Sequence, residues 1–297
     1  MINTVVAVEY VRRMRGGSQA HLLRCSDGEY YVVKFQNNPQ GTRILANELL
    51  AAILASRLGL PIAESAIVDA TELLIKHTDD LTIQIGRGNV SCSPGPCFGS
   101  RLPSQAGPYG IRIPIEIQSF LPDSPRHRVI NNAEFVRMLV FDKWTCNSDY
   151  RQVMFTRANG AQDYTVTMID NGFCFNGVDW SFPNLPRGGL SPQPSAYETV
   201  RGIDSFEAWI QDLEDDTGIQ LLDHLADEIP PEWYLRDVKA LRGLLDDLNR
   251  RRHHVRALLY TSRSEFPQCF PNWARKRPVI CSPLARSRPL QAKAKEA

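Results

Sequence analysis

The stretch "MIDNGFCF", residues 168–175, decides how this chain is read. An apolar, β-like run stops abruptly at Asp170, Asn171 and Gly172, and apolar residues resume at once. Asn-Gly is the commonest hairpin dipeptide because both residues tolerate positive φ, so a simple turn is one reading. The other is a carboxylate held on a tight backbone bend as a metal ligand. Local sequence leaves both open.

The 297 residues are 43% hydrophobic, enough for one large domain or two smaller lobes around a real core. The 34 basic residues meet 33 acidic ones, a formal net charge of +1. That balance offers no general field to nucleic acid or membrane. No apolar run approaches the roughly 18 residues of a spanning helix. The opening "MINTVVAVEYVRRMRGG" is too short and too polar to read as a signal peptide. The 7 cysteines include no CxxC pair and read as reduced thiols in a cytoplasmic protein. Cys92 and Cys97 share a Pro/Gly-rich loop, but without a second pair they are not expected to hold a metal.

The first part of the chain reads as β-rich. "TVVAVEYVRR" predicts a strand, and "SQAHLLRC" and "YYVVKF" flank the hairpin signal "SDGE". "RILANELLAAILASRLGL" predicts a helix capped by Thr42 and stopped by Gly59 and Pro61. "ESAIVDAT" and "DLTIQIG" predict further strands. Residues 86–111, rich in Gly, Pro and Ser, read as a long loop of the functional or mobile kind. "IPIEIQSFLP" reads as a strand running into a linker near 118–124. "NNAEFVRMLVFDKWTC" predicts a helix capped by Asn131 or Asn132. "VMFTR" and "DYTVTMID" predict two short strands, and 204–262 reads as mainly helical. Three segments are expected: an N-terminal nucleotide-binding lobe over 1–118, a C-terminal catalytic lobe over 119–262, and a basic, Pro-rich, disordered tail over 263–297.

Several pieces carry chemistry. "RGGSQ" lies between two strands. Its Gly16 and Gly17 let backbone amides approach an anion, and Ser18 adds a hydroxyl donor; an ordinary hairpin turn is the plain alternative. Lys34 ends a buried strand, where its compact charge can hold phosphates. Glu48 sits among apolar and small residues of the first helix, and an inward-facing glutamate wants a cation such as Lys34. "CNSDYRQ" places Asn147, Asp149, Arg151 and Gln152 at a helix–strand junction, and Asp149 suits a group that orients and deprotonates a hydroxyl. Asp170 follows 21 residues later. Two such carboxylates can converge on one Mg²⁺–nucleotide, because Mg²⁺ needs only one or two protein oxygens besides phosphates and water. No single piece is specific. Their order, glycine loop, strand Lys, helix Glu, linker, NxD loop and DNG, points to a kinase-like phosphotransferase.

At these residues the chain resembles the HipA-like kinase family and, more distantly, the type II phosphatidylinositol 4-kinases. "GGSQAHLL" is similar to the glycine-containing loop, with Gln19 in place. "VVKF" resembles the strand of the nucleotide lysine, and "NELLAAILASRLGLP" the helix of its glutamate partner. "CNSDYRQ" is similar to the N-x-D-x-H-x-x-N catalytic loop, and "MIDNGFCF" to the lipid kinases' metal loop. "IPPEW", residues 229–233, resembles a segment of one HipA-like subgroup. The resemblance implies an α+β, two-lobed, protein-kinase-like fold. It implies ATP between the lobes, its adenine under "YYVVKF" and hydrogen-bonded to backbone near Gln118 and Phe120. Lys34 held by Glu48 takes a phosphate, Asp170 holds Mg²⁺ with Asn147 as a further oxygen donor, and Asp149, with Arg151 and Gln152 beside it, serves the acceptor hydroxyl.

The chain departs from the family at Met154, which replaces a metal-ligating Asn, and at Arg151, which replaces a His. The leading reading is an ATP-dependent kinase acting on a protein Ser or Thr. Met154 motivates the alternatives, a catalytically impaired nucleotide-binding module or a nucleotidyl transferase. Family analogy adds an antitoxin-like or regulatory partner. "RRRHHVR", residues 250–256, shares its helix with acids and reads as a solvated face, so direct nucleic-acid binding is not expected. "CFGSR", residues 97–101, is a second candidate lining of the cleft.

Overall fold

The computed structural model describes residues 2–106, 112–122, 128–193, 195–215 and 220–274. The first three predicted strands form as β1 (Asn3–Arg13), β2 (His21–Cys25) and β3 (Tyr30–Lys34). Helix α1 (Arg43–Arg57) follows, then β4 (Ser65–Ala70) and the short α2 (Glu72–Lys76). Thr42 does not cap α1 with its side chain; its hydroxyl donates to the Gln36 carbonyl at 3.0 Å instead. β5 (Thr82–Ile85) and β6 (Gly88–Ser91) make a separate hairpin.

The stretch expected as a long loop holds the strand that closes the sheet. β7 (Gly95–Arg101) inserts between β3 and β4 and completes a barrel of order β1-β2-β3-β7-β4, in which β1 and β4 run parallel. Its glycine content, a loop signal in sequence, has a packing cause. A Cβ on Gly99 would lie 2.5 Å from Val68 Cγ2 inside the barrel. β8 (Ser104–Ala106) and β9 (Arg112–Pro114) form another hairpin, and residues 107–111 of the expected loop lie outside the described residues.

β10 (Glu116–Gln118), β11 (Val153–Arg157) and β12 (Thr165–Met168) make a three-stranded antiparallel sheet. Helix α3 (Glu134–Thr145) precedes β11. Its expected caps are used elsewhere: Asn131 clips both backbone groups of Val166, and Asn132 donates to Ser195. Beyond β12 come irregular segments with α4 (Glu207–Glu214), α5 (Val238–Arg251) and α6 (Val255–Glu265). The last described residues do not behave as a free tail. Phe270 is 1% exposed and stacks on Tyr197, and Trp273 is buried as well, because the core between α3, α4 and α6 would otherwise lie open. Residues 275–297 lie outside the described residues. No helix among those described is long and apolar enough to cross a membrane.

Strand alternation sorts the barrel side chains. Leu23, Tyr31, Val33 and Cys97 fill the interior. Leu22, Val32 and Ser100 are register partners on the opposite face, next to the Lys34–Phe98 pair. That face looks toward the β10–β12 sheet, to which the barrel is tied where Met168 bonds Pro61 and Ala63 across the loop from α1 to β4.

His21 is fully buried. Its Nε2 meets the Thr82 carbonyl at 3.2 Å, and its ring lies between Tyr10 and Phe35. Burial lowers its pKa to about 4, against roughly 6.5 when unfolded. Between those values the unfolded chain binds a proton that the folded one refuses, so stability falls as pH drops through this window. In thermal melts, His21→Phe is expected to lose less midpoint temperature between pH 7 and pH 4.5 than the parent. Equal losses would refute this assignment.

Candidate active site

The loop between β1 and β2 is closed by a bond from Met14 to Ala20 at 2.8 Å. Gly16 sits at φ +127°, where an L side chain is strained. Gly17 and Ser18 follow on the same turn. Gln19 has positive φ and turns its amide away from the loop. It accepts from the Gln84 backbone N–H at 2.7 Å and donates to the Gln84 carbonyl at 2.9 Å, tying the glycine turn to the β5–β6 hairpin. Gln19 thus shapes the turn rather than facing the cleft.

Lys34 is buried, and three elements meet on it. Its Nζ donates to Glu48 of α1 and, at 2.7 Å, to Asp170 at the end of β12. Burial alone would lower the Lys34 pKa, but the two carboxylates outweigh it and raise it. Burial also acts against charge on Asp170, yet the Lys34 ammonium holds that carboxyl below its ordinary value. Glu48 is driven the other way, upward, by burial, with Asp170 adding repulsion. Two acids thus share one ammonium.

The DNG stretch is not a hairpin turn. Asp170 takes positive φ (+54°), which Asp tolerates better than most residues. The Asn171 backbone N–H donates to Glu48 at 2.8 Å. A Cβ on Gly172 would lie 2.6 Å from Ile44 Cγ2 of α1, so that glycine is demanded by close packing. Asn47, one residue before Glu48, donates to the carbonyls of Gly172, Cys174 and Gly177 and accepts from the Trp180 indole. Asn47 escaped the sequence reading, although a polar residue inside "LANELL" was a visible signal.

The expected catalytic loop divides into buried and open residues. Arg151 does not reach the cleft. It is 1% exposed, ion-paired to Asp142, and donates to Asn171 Oδ1 at 2.8 Å. Asn147 is also buried: it donates to Asp142 at 3.0 Å and accepts from the Asp149 backbone at 3.1 Å. Neither is available to substrate or metal as expected; both brace the loop. The missed partner, Asp142, announced itself as an acid inside the apolar run "MLVFDKW". Asp149 is half-buried, and the exposed Gln152 donates to its carboxylate at 3.1 Å. Because Val153 pairs with Met168, and Ile169 bonds Gln152, the segments carrying Asp149 and Asp170 run side by side.

Met154 pairs with Thr167 and, with Thr156, Ala63 and Arg101, lines a recess of about 260 Å³ between sheet and barrel. Gln118 is in register with Phe155, and Phe120 is exposed where the chain leaves β10; Gln193 clips Leu121 beside them. In "CFGSR", Gly99 faces the barrel interior while Ser100 is on the cleft face. Among the described residues no cluster of three or more His, Cys, Asp or Glu could hold a metal alone. Magnesium needs no such cage, since nucleotide phosphates complete its shell, and the acid excess around Lys34 suits a cation.

Removing one member of a buried ion pair strands the other, at a cost of about 3–5 kcal/mol. Arg151→Ala is therefore expected to lower unfolding free energy by that much, while Asp142→Leu combined with Arg151→Leu recovers much of it. Urea denaturation of the three proteins checks this, and a near-silent Arg151→Ala would overturn it.

A family model described as HipA-like kinase matches residues 7–161. No curated protein matches the chain. Solved structures share the fold, two of them over most of the chain. The Golgi casein kinase with Mn/ADP bound aligns over 89% of this chain and 74% of its own, with a TM-score of 0.51 and 12% identity. The Helicobacter pylori proinflammatory kinase CtkA aligns over 87% of this chain and 100% of its own, with a TM-score of 0.51 and 13% identity. The family match covers more than half of the sequence, and the chain belongs to the HipA-like kinase family.

Proposed function

We propose that this protein is an ATP-dependent phosphotransferase that uses Mg²⁺ and phosphorylates a Ser or Thr hydroxyl of a protein. The observation that carries the reading is the meeting of Lys34, Glu48 and Asp170 at one point. The two lobes would then be the barrel with α1 and the remainder, with ATP between them. The recess over Met154 and Thr156 suits the base, bounded by the chain at Gln118 and Phe120. The turn at Gly16, Gly17 and Ser18 would cover the phosphates. Lys34, kept charged and aimed by Glu48, would hold an α- or β-phosphate oxygen. Asp170 would hold Mg²⁺, which when bound neutralises phosphate charge.

In the transfer, the acceptor oxygen bonds to the γ-phosphorus and the bond from that phosphorus to the β–γ bridging oxygen breaks. The hydroxyl proton passes to Asp149, and ADP leaves. Gln152 and the backbone N–H of Tyr150 (2.7 Å) orient the Asp149 carboxylate. Such preorganised groups act mainly by positioning and electrostatics.

Met154 favours one second reading, a module that binds ATP with weak or no turnover, or one that transfers the nucleotidyl group. Its thioether is a poor ligand for magnesium. A regulatory partner, antitoxin-like by family analogy, fits either reading.

With γ-labelled ATP and Mg²⁺, label is expected on protein together with ADP. Lys34→Ala and Asp149→Asn are each expected to lower that rate by roughly 10²- to 10³-fold. Asp149→Asn should leave nucleotide affinity nearly unchanged, whereas Lys34→Ala should weaken it. Label from the α-position on protein would favour nucleotidyl transfer, and tight binding without product would favour the silent module.

A further inference from the structure

We propose that Arg187, stacked on Tyr150, selects the acceptor by binding an acidic side chain of a polypeptide close to the phosphorylated hydroxyl. The inference rests on the phosphotransferase reading and extends it to the substrate.

The turn carrying Arg187 is pinned to the loop carrying Asp149. Lys143, buried at the end of α3, donates to the carbonyls of Leu185, Pro186 and Gly188 at 3.1, 2.9 and 2.6 Å. Ser262 of α6 adds a second bond to Pro186 at 2.7 Å. The backbones of the two loops then pair directly, Gly189 to Asp149 at 2.7 Å and Arg151 to Leu190 at 3.1 Å. Gly188 is required by that approach, since a Cβ there would lie 2.2 Å from the Asn147 carbonyl.

A turn held on both sides of one residue presents that residue's side chain from a fixed base. The Arg187 guanidinium lies over the Tyr150 ring, 4.6 Å from its centroid. Among the described residues no acid pairs with it. Beneath it opens a recess of about 330 Å³ lined by Tyr150, Leu190, Gln193, Tyr197 and Phe266 among others, and no acidic side chain is in that lining. Arg187 is its single charge.

This combination fixes the ligand class. One cation on a recess otherwise lined by uncharged side chains, aromatic and apolar ones together with Ser191, Gln193 and Gln268, matches one acidic side chain next to an uncharged one, which a peptide supplies. An inositol phosphate headgroup carries several charges and would call for several cations. Arginine is also suited to the task, because its planar fork stacks on tyrosine and still grips a carboxylate or phosphate bidentately. The reach is short. One Cα step of about 3.8 Å, a tyrosine side chain of roughly 6 Å and the stacking gap keep the guanidinium within roughly 15 Å of the Asp149 backbone. At about 3.3 Å per extended residue, that span corresponds to about four positions between the acid and the acceptor.

The test uses the full chain with γ-labelled ATP, Mg²⁺ and a Ser/Thr peptide library. Asp, Glu, phosphoserine, Lys or Ala occupies each of four positions on either side of the acceptor. The parent is expected to favour an acid at one position by roughly ten-fold in transfer rate. Arg187→Ala should flatten that preference and Arg187→Glu should turn it toward Lys, with the affinity for a fluorescent ATP analogue unchanged in both. The arms with Asp or Glu and with phosphoserine separate a carboxylate from a phosphate ligand. Transfer without acidic preference, or a preference that survives Arg187→Ala, overturns the role of Arg187 and leaves the phosphotransferase reading standing. Label that enters phosphatidylinositol vesicles but not peptides overturns the polypeptide acceptor. No transfer to any acceptor overturns both readings together.

Discussion

The site depends on one buried ammonium. Lys34 comes from a barrel strand, Glu48 from the helix that follows, and Asp170 from the end of a sheet strand more than a hundred residues later. Removing such ions from water costs several kcal/mol each unless partners compensate. The barrel, α1 and the β10–β12 sheet are therefore bound to one another by the need to keep this cluster complete. The compensation is unequal by design of the sequence: one positive charge answers two negative ones. On the reading proposed above, Asp170, the more open of the two acids, is where a further cation would enter.

Around this centre, exposure separates the bracing residues from those to which the proposed function gives the chemistry. Arg151, Asp142, Asn147 and Lys143 are buried and spend their polar groups on neighbouring chain segments. Asp149, Asp170 and Gln152 remain partly open on the loops so braced. Fully buried polar networks rigidify when every member is satisfied. Here the rigidity is applied to the short stretches that carry the partly open carboxylates, and preorganisation of that kind is what positional catalysis requires.

Much of this could be read from residue order. The barrel strands β1 to β4, the hairpin strand β5, helices α1 and α3 and the pair β11–β12 follow from alternation, helical spacing and turn residues, and the Lys34–Glu48 pairing follows from a charge placed among apolar neighbours. β7 could not be read. Its glycines and prolines are loop signals locally, and only the proximity of Val68 and Tyr31 inside the barrel explains Gly99. Arg151 and Asn147 misled for a related reason. A motif gives the spacing of polar residues but not which of them turn inward, and that choice was made by Asp142, seven positions before Asp149 on another element. The aromatic residues Phe270 and Trp273 were masked by a basic, Pro-rich neighbourhood, although their role is to seal the helical core.

Asn47 has a consequence for how such a protein can be controlled. In one side chain it fastens α1 to three successive points of the segment beyond Asp170, and every residue of α1 from Ile44 to Ala55 is buried. For this helix to swing outward and withdraw its glutamate, three carbonyls and an indole would lose their Asn47 partner at once. Rotation of that helix is therefore the costly motion in this fold, and movements of the glycine turn, which Asn47 does not hold, are the cheaper ones.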